Sequence, residues 1–394
     1  MTPVMPPLRI LYVIDSLAAG GSERSLAALA GPYRDLGVHL DVAVLWDRPG
    51  LRPQLESEGA SVISLDPPGN RVRRTTRIAQ LVRDRRPDLV HTTLFEADLA
   101  GRVGARLAGV PVVTTLAAEA YGPEHLGEHG IRRSRLLAAQ SLDALTARLA
   151  TRLHAVSQQV KTAMGSRLHY PAVRIDVVPR GRDDAALGRR TAARRARARA
   201  ILQASPEAEI VLAVARQEPQ KNLDVLVTAM AEVLKNRRQA QLVIAGRAGN
   251  ATPQITAAIE RHHLESSVQM LGARDDVADL LCAADLFVLP SRREGMPGSV
   301  IEAMALEVPV VASDLPQTRE VTGDTALFAP IGEPIALANA IDLSLSDPLA
   351  AAERVREARK RFEERFTIQQ TSRAMVEFYL RALGRSSTRP AARS

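Results

Sequence analysis

The sequence is poor in cysteine and in aromatic residues. Cys282 is the only cysteine among 394 residues, so no internal disulfide can form, and a reducing compartment is expected. Aromatic residues make up only 3% of the chain, which predicts a core of alanine, valine and leucine. The same shortage argues against a nucleic-acid platform built on stacked aromatic rings.

Long apolar runs and clusters of metal ligands are also lacking. No apolar stretch is long enough to span a bilayer, and the opening residues MTPVMPPLRILYVIDS show no cleavable signal pattern. The eight histidines are scattered, and one cysteine cannot supply a ligand cluster. We therefore expect a cytoplasmic protein with no bound metal and no cofactor.

The formal net charge is +8 and is carried by arginine. This charge could reflect contact with acidic membranes, polyanions or anionic small molecules. It could also reflect an arginine- and alanine-rich genome, which is the interpretation we favour.

Short apolar runs alternate with helical periods along most of the chain, a pattern that predicts α/β domains with parallel sheets covered on both faces. The pattern breaks over residues 180–205, RGRDDAALGRRTAARRARARAILQAS, which are dense in arginine and contain no predicted strand. Strands are predicted at 8–15, 41–46, 61–65, 88–93, 110–116, 153–157 and 174–179, and again at 209–216, 241–246, 268–272, 286–291, 308–313 and 326–330.

This pattern predicts two doubly wound, Rossmann-like domains over residues 1–180 and 206–365, with a basic linker and helix over 181–205. A helix over 366–384 is expected to cross back to the first domain, and residues 385–394 to form a disordered tail. Ligands in such sheets bind beyond the carboxyl ends of the strands. Two domains facing a central cleft would therefore offer binding loops on both walls.

The first predicted strand ends in DSLAAGGSERS, where Gly20 and Gly21 precede a helix with Ser22 and Glu23 in its first turn. Tandem glycines allow a tight turn and a close approach of a ligand, and the free N–H groups favour an anion or a sugar hydroxyl. The spacing Gly-x-Gly-x-x-Gly is absent, which argues against a dehydrogenase. A plain strand-to-helix turn is the alternative.

The first strand of the second domain ends in AVARQEPQKNL. Arg216 closes the strand, and Lys221 comes five residues later, just before a helix. A forked cation and a point charge on one loop would suit a diphosphate. A pair of solvated surface charges is the alternative.

Two glutamates eight residues apart stand in SRREGMPGSVIEAMALEVPVVASD. Glu294 lies in the loop after a buried strand, and Glu302 lies in the next helix, whose first turn contains Pro297. Carboxylates accept hydrogen bonds from vicinal diols such as those of sugars and riboses. The N–H groups at the helix start can meet the phosphate oxygens between them.

The stretch EGMPGSVIEAMA is similar to the Glu-x7-Glu signature of the retaining glycosyltransferases of family 4, which have the GT-B fold. The stretches LAAGGSE, VARQEPQKN, VIAGR, LGARDDVADLLCAADLFVLPSRREGMP and VPVVASDLPQTREV resemble other landmarks of that family in the same order. The resemblance extends over residues 8–383 and is most specific over 209–330.

This resemblance implies that Glu294 contacts the donor sugar and that Glu302 holds the nucleotide ribose. Arg216 and Lys221 would neutralise the departing diphosphate. The resemblance also assigns Gly298, Ser299, Met296, Gly246 and Arg274 to the donor site, and Gly20 and Gly21 to the junction of donor and acceptor.

The implied reaction is metal-independent glycan biosynthesis from a UDP- or GDP-type sugar to a hydroxyl of a polysaccharide, a lipid-linked or a small-molecule glycoside. The sugar–phosphate bond loosens, the acceptor attacks from the same face, and the departing phosphate oxygen takes its proton. The anomeric configuration is therefore retained.

Three stretches depart from the family pattern. Ala117 or Ala118 stands where members often have a histidine, and His125 is too far along the chain to replace it. Arg180 stands in a Pro-Arg-Gly stretch where Pro-Asn-Gly is common. The usual paired glycines are absent from DLPQTREV, which keeps Glu320.

The basic segments 71–86, 131–152 and 180–199 raise a question about membranes. Basic helices of the family sometimes rest on membranes, and IRRSRLLAAQSLDALTARLATRL (131–153) is amphipathic enough to do so. A helix packed on the sheet with its arginines in water is the alternative, which we favour.

Other functions compatible with the pattern are a scaffold on the same fold, a nucleotide-sugar epimerase or a phosphorylase. The four charged site residues argue against the scaffold, and no signature of a pyridoxal-bearing lysine supports the phosphorylase. Nucleic-acid binding through the arginine-rich linker lacks a recognition motif, so no nucleic-acid partner is expected.

Overall fold

The structure is a computed structural model, and it describes residues 7–18, 20–66, 69–122, 125–126 and 132–385. The chain forms two compact units. The first runs to Gly181 and resumes at Ile368, and the second comprises Arg182–Thr367. The predicted disordered tail lies outside the described residues, apart from Arg385.

The sheet of the first unit contains seven parallel strands among the described residues. They are β1 (Leu8–Ile14), β2 (Val38–Val44), β3 (Ser61–Ser64), β4 (Leu89–Thr93), β5 (Val112–Leu116), β6 (Arg152–Ala155) and β7 (Ile175–Val177), in the order β3-β2-β1-β4-β5-β6-β7. The helices between them are α1 (Gly21–Asp35), α2 (Arg52–Ser57), α3 (Arg71–Arg85), α4 (Phe95–Leu107), α5 (Arg133–Ala147) and α6 (Gln158–Arg167).

The second unit repeats this plan with six parallel strands. It begins with α7 (Asp184–Leu187) and α8 (Ala192–Ile201). The strands are β8 (Glu209–Val214), β9 (Ala240–Ala245), β10 (Val268–Gly272), β11 (Leu286–Leu289), β12 (Val310–Ser313) and β13 (Leu327–Ala329), in the order β10-β9-β8-β11-β12-β13. The other helices are α9 (Leu223–Asn236), α10 (Thr252–Arg261), α11 (Val277–Ala283), α12 (Gly298–Ala305), α13 (Pro316–Thr322), α14 (Pro334–Ser346) and α15 (Pro348–Arg365).

Both sheets are doubly wound, which confirms the predicted fold class of two Rossmann-like α/β units. The strand order reverses between β1 and β4 in the first unit and between β8 and β11 in the second. At such a reversal the two following loops diverge to opposite faces and leave a crevice at the carboxyl ends of the strands. Each unit therefore offers one crevice where ligand-binding residues are expected.

The last helix, α16 (Ile368–Ala382), belongs to the first unit and packs against α1. It contributes two of the four aromatic side chains in that unit's main core cluster. Phe378 and Tyr379 are buried beside Tyr12 and Tyr33. The predicted core of alanine, valine and leucine describes the main cluster of the second unit, which adds only isoleucine and methionine. It was incomplete for the first unit, whose main cluster includes four aromatic side chains.

The arginine-rich segment before β8 forms α8, whose arginines pair with aspartates of the same unit. Arg194 Nε lies 2.6 Å from Asp279 Oδ1, and Arg195 Nη2 lies 2.6 Å from Asp285 Oδ1. Arg199 Nη1 reaches the other oxygen of Asp285 at 3.1 Å. These contacts attach α8 to the second unit, so much of the segment's positive charge is already neutralised within the fold.

Candidate functional site

The loops that follow β8 and β11 are joined to each other in the second unit, because these strands are neighbours at the reversal point. The Arg292 backbone N–H donates to the Gln220 carbonyl oxygen at 2.8 Å. Arg292 Nε donates to Asn222 Oδ1, also at 2.8 Å. Asn222 is buried and adopts a left-handed conformation with φ 55°, which ends the single 3-10 turn Pro219–Lys221 and starts α9.

This junction places Lys221 against Glu294. Lys221 Nζ lies 2.5 Å from Glu294 Oε1, and Ser291 Oγ donates to the same oxygen at 2.7 Å. The two charged side chains are only 15% and 8% exposed. A largely buried cation and carboxylate at the carboxyl end of a parallel sheet can bind charged and hydroxylated parts of one ligand, because neighbouring water screens them weakly.

Gln217 and Gly246 shape the loop that carries Arg216. Gly246 follows β9 with φ 156°, and a Cβ atom there would collide with the Ala215 carbonyl oxygen. The buried Gln217 donates from Nε2 to the Gly246 carbonyl at 3.1 Å and accepts from Thr252 Oγ1 at 2.7 Å. Gly246 therefore permits the close approach of two backbones, while Arg216 itself lies exposed beyond β8.

Gly298 and Ser299 are the first two residues of α12, and Met296 is buried just before them. Glu302, one turn further on, pairs with Arg182: the distance from Arg182 Nε to Glu302 Oε1 is 2.5 Å. Arg182 Nη2 lies so close to Gly298 that a Cβ atom at that position would collide with it. Arg182 was not among the residues predicted from the sequence, although it lies two residues after the departure at Arg180.

Arg274 lies apart from the Lys221–Glu294 pair. It follows β10, which is three strands away from β11 in the sheet, or about 14 Å at the usual strand spacing. Its Nε and Nη2 bind the two oxygens of Asp276 at 2.7 and 2.5 Å. This guanidinium holds the pKa of the Asp276 carboxyl below its usual value.

Gly20 and Gly21 lie at the reversal point of the first unit, where Gly20 caps α1 and Gly21 is its first residue. A Cβ atom on Gly21 would lie 2.8 Å from Arg180 Nη1. Arg180 Nη2 also donates to the Ala117 carbonyl oxygen at 3.5 Å. Two departures from the family pattern, at 117 and 180, thus meet beside the glycine loop.

A cavity of about 40 Å³ lies at the same end of this sheet, enough for about three water molecules. Its wall is largely polar towards the strands and apolar towards the helices. The polar residues that line it include Tyr12, Ser22, Ser25, His91, Thr93, Thr115, His154 and Arg180.

The donor and the acceptor of each hydrogen bond in the cavity wall can be assigned, starting from His154. His154 Nε2 lies 2.8 Å from the Val178 carbonyl oxygen, which can only accept, so Nε2 carries the hydrogen. Burial lowers the pKa of His154 to about 4, so near neutral pH its Nδ1 is an acceptor. The Thr115 hydroxyl, 2.9 Å away, therefore donates to Nδ1.

The same argument continues through His91. Because the Thr115 hydroxyl already donates its proton to His154 Nδ1, Thr115 Oγ1 accepts from His91 Nε2 at 2.7 Å. Burial also holds the pKa of His91 well below its usual value, so His91 Nδ1 accepts from the Tyr379 hydroxyl at 2.7 Å. Tyr379 in turn accepts from Tyr33 at 3.1 Å. Each group in this histidine chain therefore donates to the next one. The histidine chain runs from Tyr33 on α1 through Tyr379, His91, Thr115 and His154 to the Val178 carbonyl oxygen after β7.

In the described ranges, no group of three or more His, Cys, Asp or Glu side chains could hold a metal ion. No helix in the described part of the chain combines the length and the hydrophobicity that a membrane crossing requires.

Comparison with known proteins connects both units to one enzyme family. Residues 194–364 match the model described as glycosyl transferases group 1, and residues 20–181 match the glycosyl transferase 4-like domain. The D-inositol 3-phosphate glycosyltransferase of Kineococcus radiotolerans is 30% identical over 330 residues, which cover 76% of this chain and 73% of the relative. The chain belongs to the glycosyl transferases group 1 family.

Other members of the group 1 glycosyltransferases show the extent of the similarity. The Escherichia coli UDP-Gal:alpha-D-GlcNAc-diphosphoundecaprenol alpha-1,3-galactosyltransferase is 29% identical over 244 residues, 60% of either chain. A crystal structure of Anabaena HepE in complex with UDP and glucose superposes with a TM-score of 0.83 at 24% identity, covering 94% of this chain and 99% of HepE. This superposition confirms the predicted GT-B fold.

The two family matches divide the candidate residues of this group 1 glycosyltransferase. Lys221, Glu294 and Glu302 lie within the match over 194–364, and Gly20, Gly21 and Arg180 lie within the match over 20–181. Arg182 lies between the two matched segments.

Proposed function

We propose that the protein transfers a sugar, with retention of configuration, from a nucleotide-diphosphate sugar to a hydroxyl acceptor. The observation that carries this proposal is the largely buried Lys221–Glu294 pair at the reversal point of the second sheet. The pair lies in the segment that matches the group 1 glycosyltransferases. The complex of HepE with UDP and glucose supports a UDP-type donor.

The reaction uses the charges of the second unit to stabilise the leaving group. Lys221 and Arg216 bind the diphosphate as its charge grows, and fixed cations stabilise this charge without reorganisation of solvent. Glu294 accepts hydrogen bonds from the hydroxyls of the donor sugar, and Glu302 accepts them from the ribose. The acceptor hydroxyl attacks the anomeric carbon, and its proton passes to the departing phosphate oxygen. No protein base is needed in this scheme.

The acceptor is proposed to bind on the side of the first unit, near Gly20, Gly21 and Arg180. The relatives named above act on a diphosphoundecaprenol-linked sugar and on an inositol phosphate. A lipid-linked, polysaccharide or small-molecule hydroxyl acceptor in glycan biosynthesis is consistent with both.

A thermal-shift screen tests the donor proposal. The purified protein is melted with UDP, GDP, ADP and TDP, each with and without EDTA. One nucleotide at a hundred times its Kd adds about 2.7 kcal/mol of stability, which raises Tm by roughly 5–10 °C for a unit of this size. The rise is expected to persist in EDTA, because the proposed site uses cationic side chains.

The matching nucleotide sugar then separates the transferase from its alternatives. Release of nucleotide that depends on an added hydroxyl acceptor supports the transferase. An interconverted nucleotide sugar without release indicates an epimerase of the same fold. Failure of all four nucleotides to change Tm would favour a scaffold protein.

Helix α5 supports a second proposal, a peripheral contact of a cytoplasmic protein with anionic lipid. Leu137 and Leu145 are 50% and 63% exposed, and Arg132, Arg133 and Arg135 are exposed at the start of the helix. Apolar side chains flanked by arginines can insert at the headgroup boundary while the guanidinium groups meet lipid phosphates.

A further inference from the structure

Asn222 combines two features that lower the stability of the fold. Its backbone is left-handed, with φ 55° and ψ 35°, a conformation that is strained for residues other than glycine. Its side-chain Nδ2 is buried and has no hydrogen-bond partner among the residues that the structure describes. A buried donor without a partner loses its hydrogen bond to water and gains none on folding. Features of this kind concentrate at functional sites.

The backbone alone does not explain why an asparagine stands here. Glycine would adopt the left-handed conformation without a steric penalty, and it would leave no buried donor unpaired. The orientation of the amide is fixed by Arg292, because Arg292 Nε can only donate and Asn222 Oδ1 accepts from it at 2.8 Å. The side chain of Asn222 does not cap α9. What distinguishes asparagine from glycine at this position is therefore the contact with Arg292.

This contact completes a link between the loops after β8 and β11. The Arg292 backbone N–H donates to the Gln220 carbonyl oxygen at 2.8 Å, while its side chain reaches Asn222. Lys221 lies between the two residues that Arg292 contacts, and Glu294 follows Arg292 by two residues. The link therefore holds the segments on both sides of the Lys221–Glu294 pair.

The fold depends less on the amide of Asn222 than the link does. Asn222 is 1% exposed, but Arg292 is exposed, so water can replace the amide oxygen as the acceptor of the guanidinium. Removal of the amide also removes the unpaired Nδ2. A change to glycine therefore costs the fold little, whereas it frees one side of the loop after β11.

We propose that Asn222 is a positioning residue, whose buried amide acts through Arg292 to hold Lys221 and Glu294 in the geometry that the transition state requires. This inference rests on the proposed function, since it assumes that the Lys221–Glu294 pair acts on a nucleotide sugar. The strained backbone and the unpaired donor lower stability in favour of a preorganised site.

The test measures initial rates of nucleotide release from UDP-glucose with an added hydroxyl acceptor, or from the glucose nucleotide of the base that gives the largest thermal shift. We expect Asn222→Gly to lower kcat about tenfold to a hundredfold, because a misplacement of about 1 Å has an effect of this size. The donor KM should change by less than about threefold. Tm should stay within about 3 °C of the wild-type value or rise.

Two further variants separate positioning from a general effect on the fold. Asn222→Asp keeps the acceptor for Arg292 Nε and tolerates the left-handed backbone, so it should recover most of kcat. Arg292→Ala should reproduce the loss of kcat. The double variant Asn222→Gly with Arg292→Ala should lose no more than either single variant, because both remove the same contact.

A matched control is Gln203→Gly. Gln203 has the same φ of 55°, but it is exposed and lies between α8 and β8, at the amino edge of the sheet. This variant relieves the same backbone conformation far from the Lys221–Glu294 pair. Its kcat and donor KM should equal those of the wild-type protein.

The outcomes distinguish this inference from the proposed function. Unchanged kcat in Asn222→Gly would overturn the role of Asn222 and leave the proposed function standing. So would a loss of kcat that comes with a fall in Tm of roughly 10 °C or more and that Asn222→Asp does not repair. Failure of the wild-type protein to release nucleotide from any nucleotide sugar would overturn both.

Discussion

At the scale of single residues, the Lys221–Glu294 pair carries the proposed chemistry. We predict that Lys221→Ala and Glu294→Gln each lower kcat/KM by about 10²–10³-fold, because each removes a preorganised group from the transition state. The double variant should lose less than the product of the single effects, since the two side chains share a hydrogen bond. Initial rates with the donor identified by the thermal-shift screen measure this.

The chain contains a matched control for this prediction. Lys235 and Glu232 form another lysine–glutamate pair at 2.6 Å, but the side chains are exposed on α9. Lys235→Ala should leave the rate unchanged, because exposed pairs contribute little. Full turnover in both Lys221→Ala and Glu294→Gln would refute the assignment of the site.

The structure shows the local role of two residues that the sequence assigned to the donor site, Gly246 and Arg274. Gly246 permits the close approach of the loop that carries Arg216, and Arg274 is bound to Asp276 at a distant part of the sheet. Their assignment to the donor remains a prediction. Arg182 was missed because its partner Glu302 is 120 residues away in the sequence.

At the scale of secondary-structure elements, α5 decides the membrane proposal. We predict that the protein sediments with vesicles containing phosphatidylglycerol at low salt and not with neutral phosphatidylcholine vesicles. Replacing Arg132, Arg133 and Arg135 with glutamine should remove about 3 kcal/mol of binding free energy, or roughly a hundredfold in affinity. High salt should have the same effect, because it screens the exposed charges.

The apolar contribution to vesicle binding is tested by comparing leucine variants of α5 with a leucine variant elsewhere on the surface. Leu137→Ser combined with Leu145→Ser should also weaken sedimentation, whereas Leu349→Ser on α15 should not, although Leu349 is more exposed. If the wild-type protein does not bind anionic vesicles at low salt, α5 is simply a helix packed against α4 by its second half, where Asp143, Thr146 and Ala147 are buried.

At the scale of the whole molecule, the histidine chain makes the first unit sensitive to acid. The pKa of His154 is about 4 in the folded protein because burial disfavours the charged form, while the unfolded value is about 6.5. The unfolded state therefore binds more protons between these values. The stability that neutral His154 contributes is present above pH 6.5 and is lost as the pH falls towards 4, by about 3 kcal/mol.

The measurement is urea unfolding at several pH values, followed by the fluorescence of Trp46. Trp46 is the only tryptophan and belongs to the first unit, so its emission reports that unit. His154→Gln does not titrate and should show a smaller loss of unfolding free energy between pH 6.5 and 4. Identical pH dependence in both proteins would contradict the prediction.

The wild-type protein has to be compared with His154→Gln because other groups also change the unfolding free energy as they titrate. Burial raises the pKa of Asp98 to about 8 and that of Asp15 to about 6. For these acids the folded state binds the extra proton, so their contribution is present below pH 4 and is lost as the pH rises. Their effect on the unfolding free energy opposes that of His154. It is the same in the wild-type protein and in His154→Gln, so it cancels when the two are compared.

The sequence by itself determined the two doubly wound units and the position of the candidate residues directly after buried strands. Alternating apolar runs identify buried parallel strands, and residues directly after such strands lie at the carboxyl edge of the sheet. Lys221 and Glu294 could therefore be selected without coordinates. The ordered motifs also determined the family.

Only the tertiary structure decided which distant side chains meet. It attached the arginines of α8 to Asp279 and Asp285, and it joined His91 to Tyr379 across 288 residues. It also placed Arg182 between Glu302 and Gly298. The physical reason is that local periodicity specifies which face of an element is buried, whereas a hydrogen-bond partner depends on how elements far apart in the chain pack together.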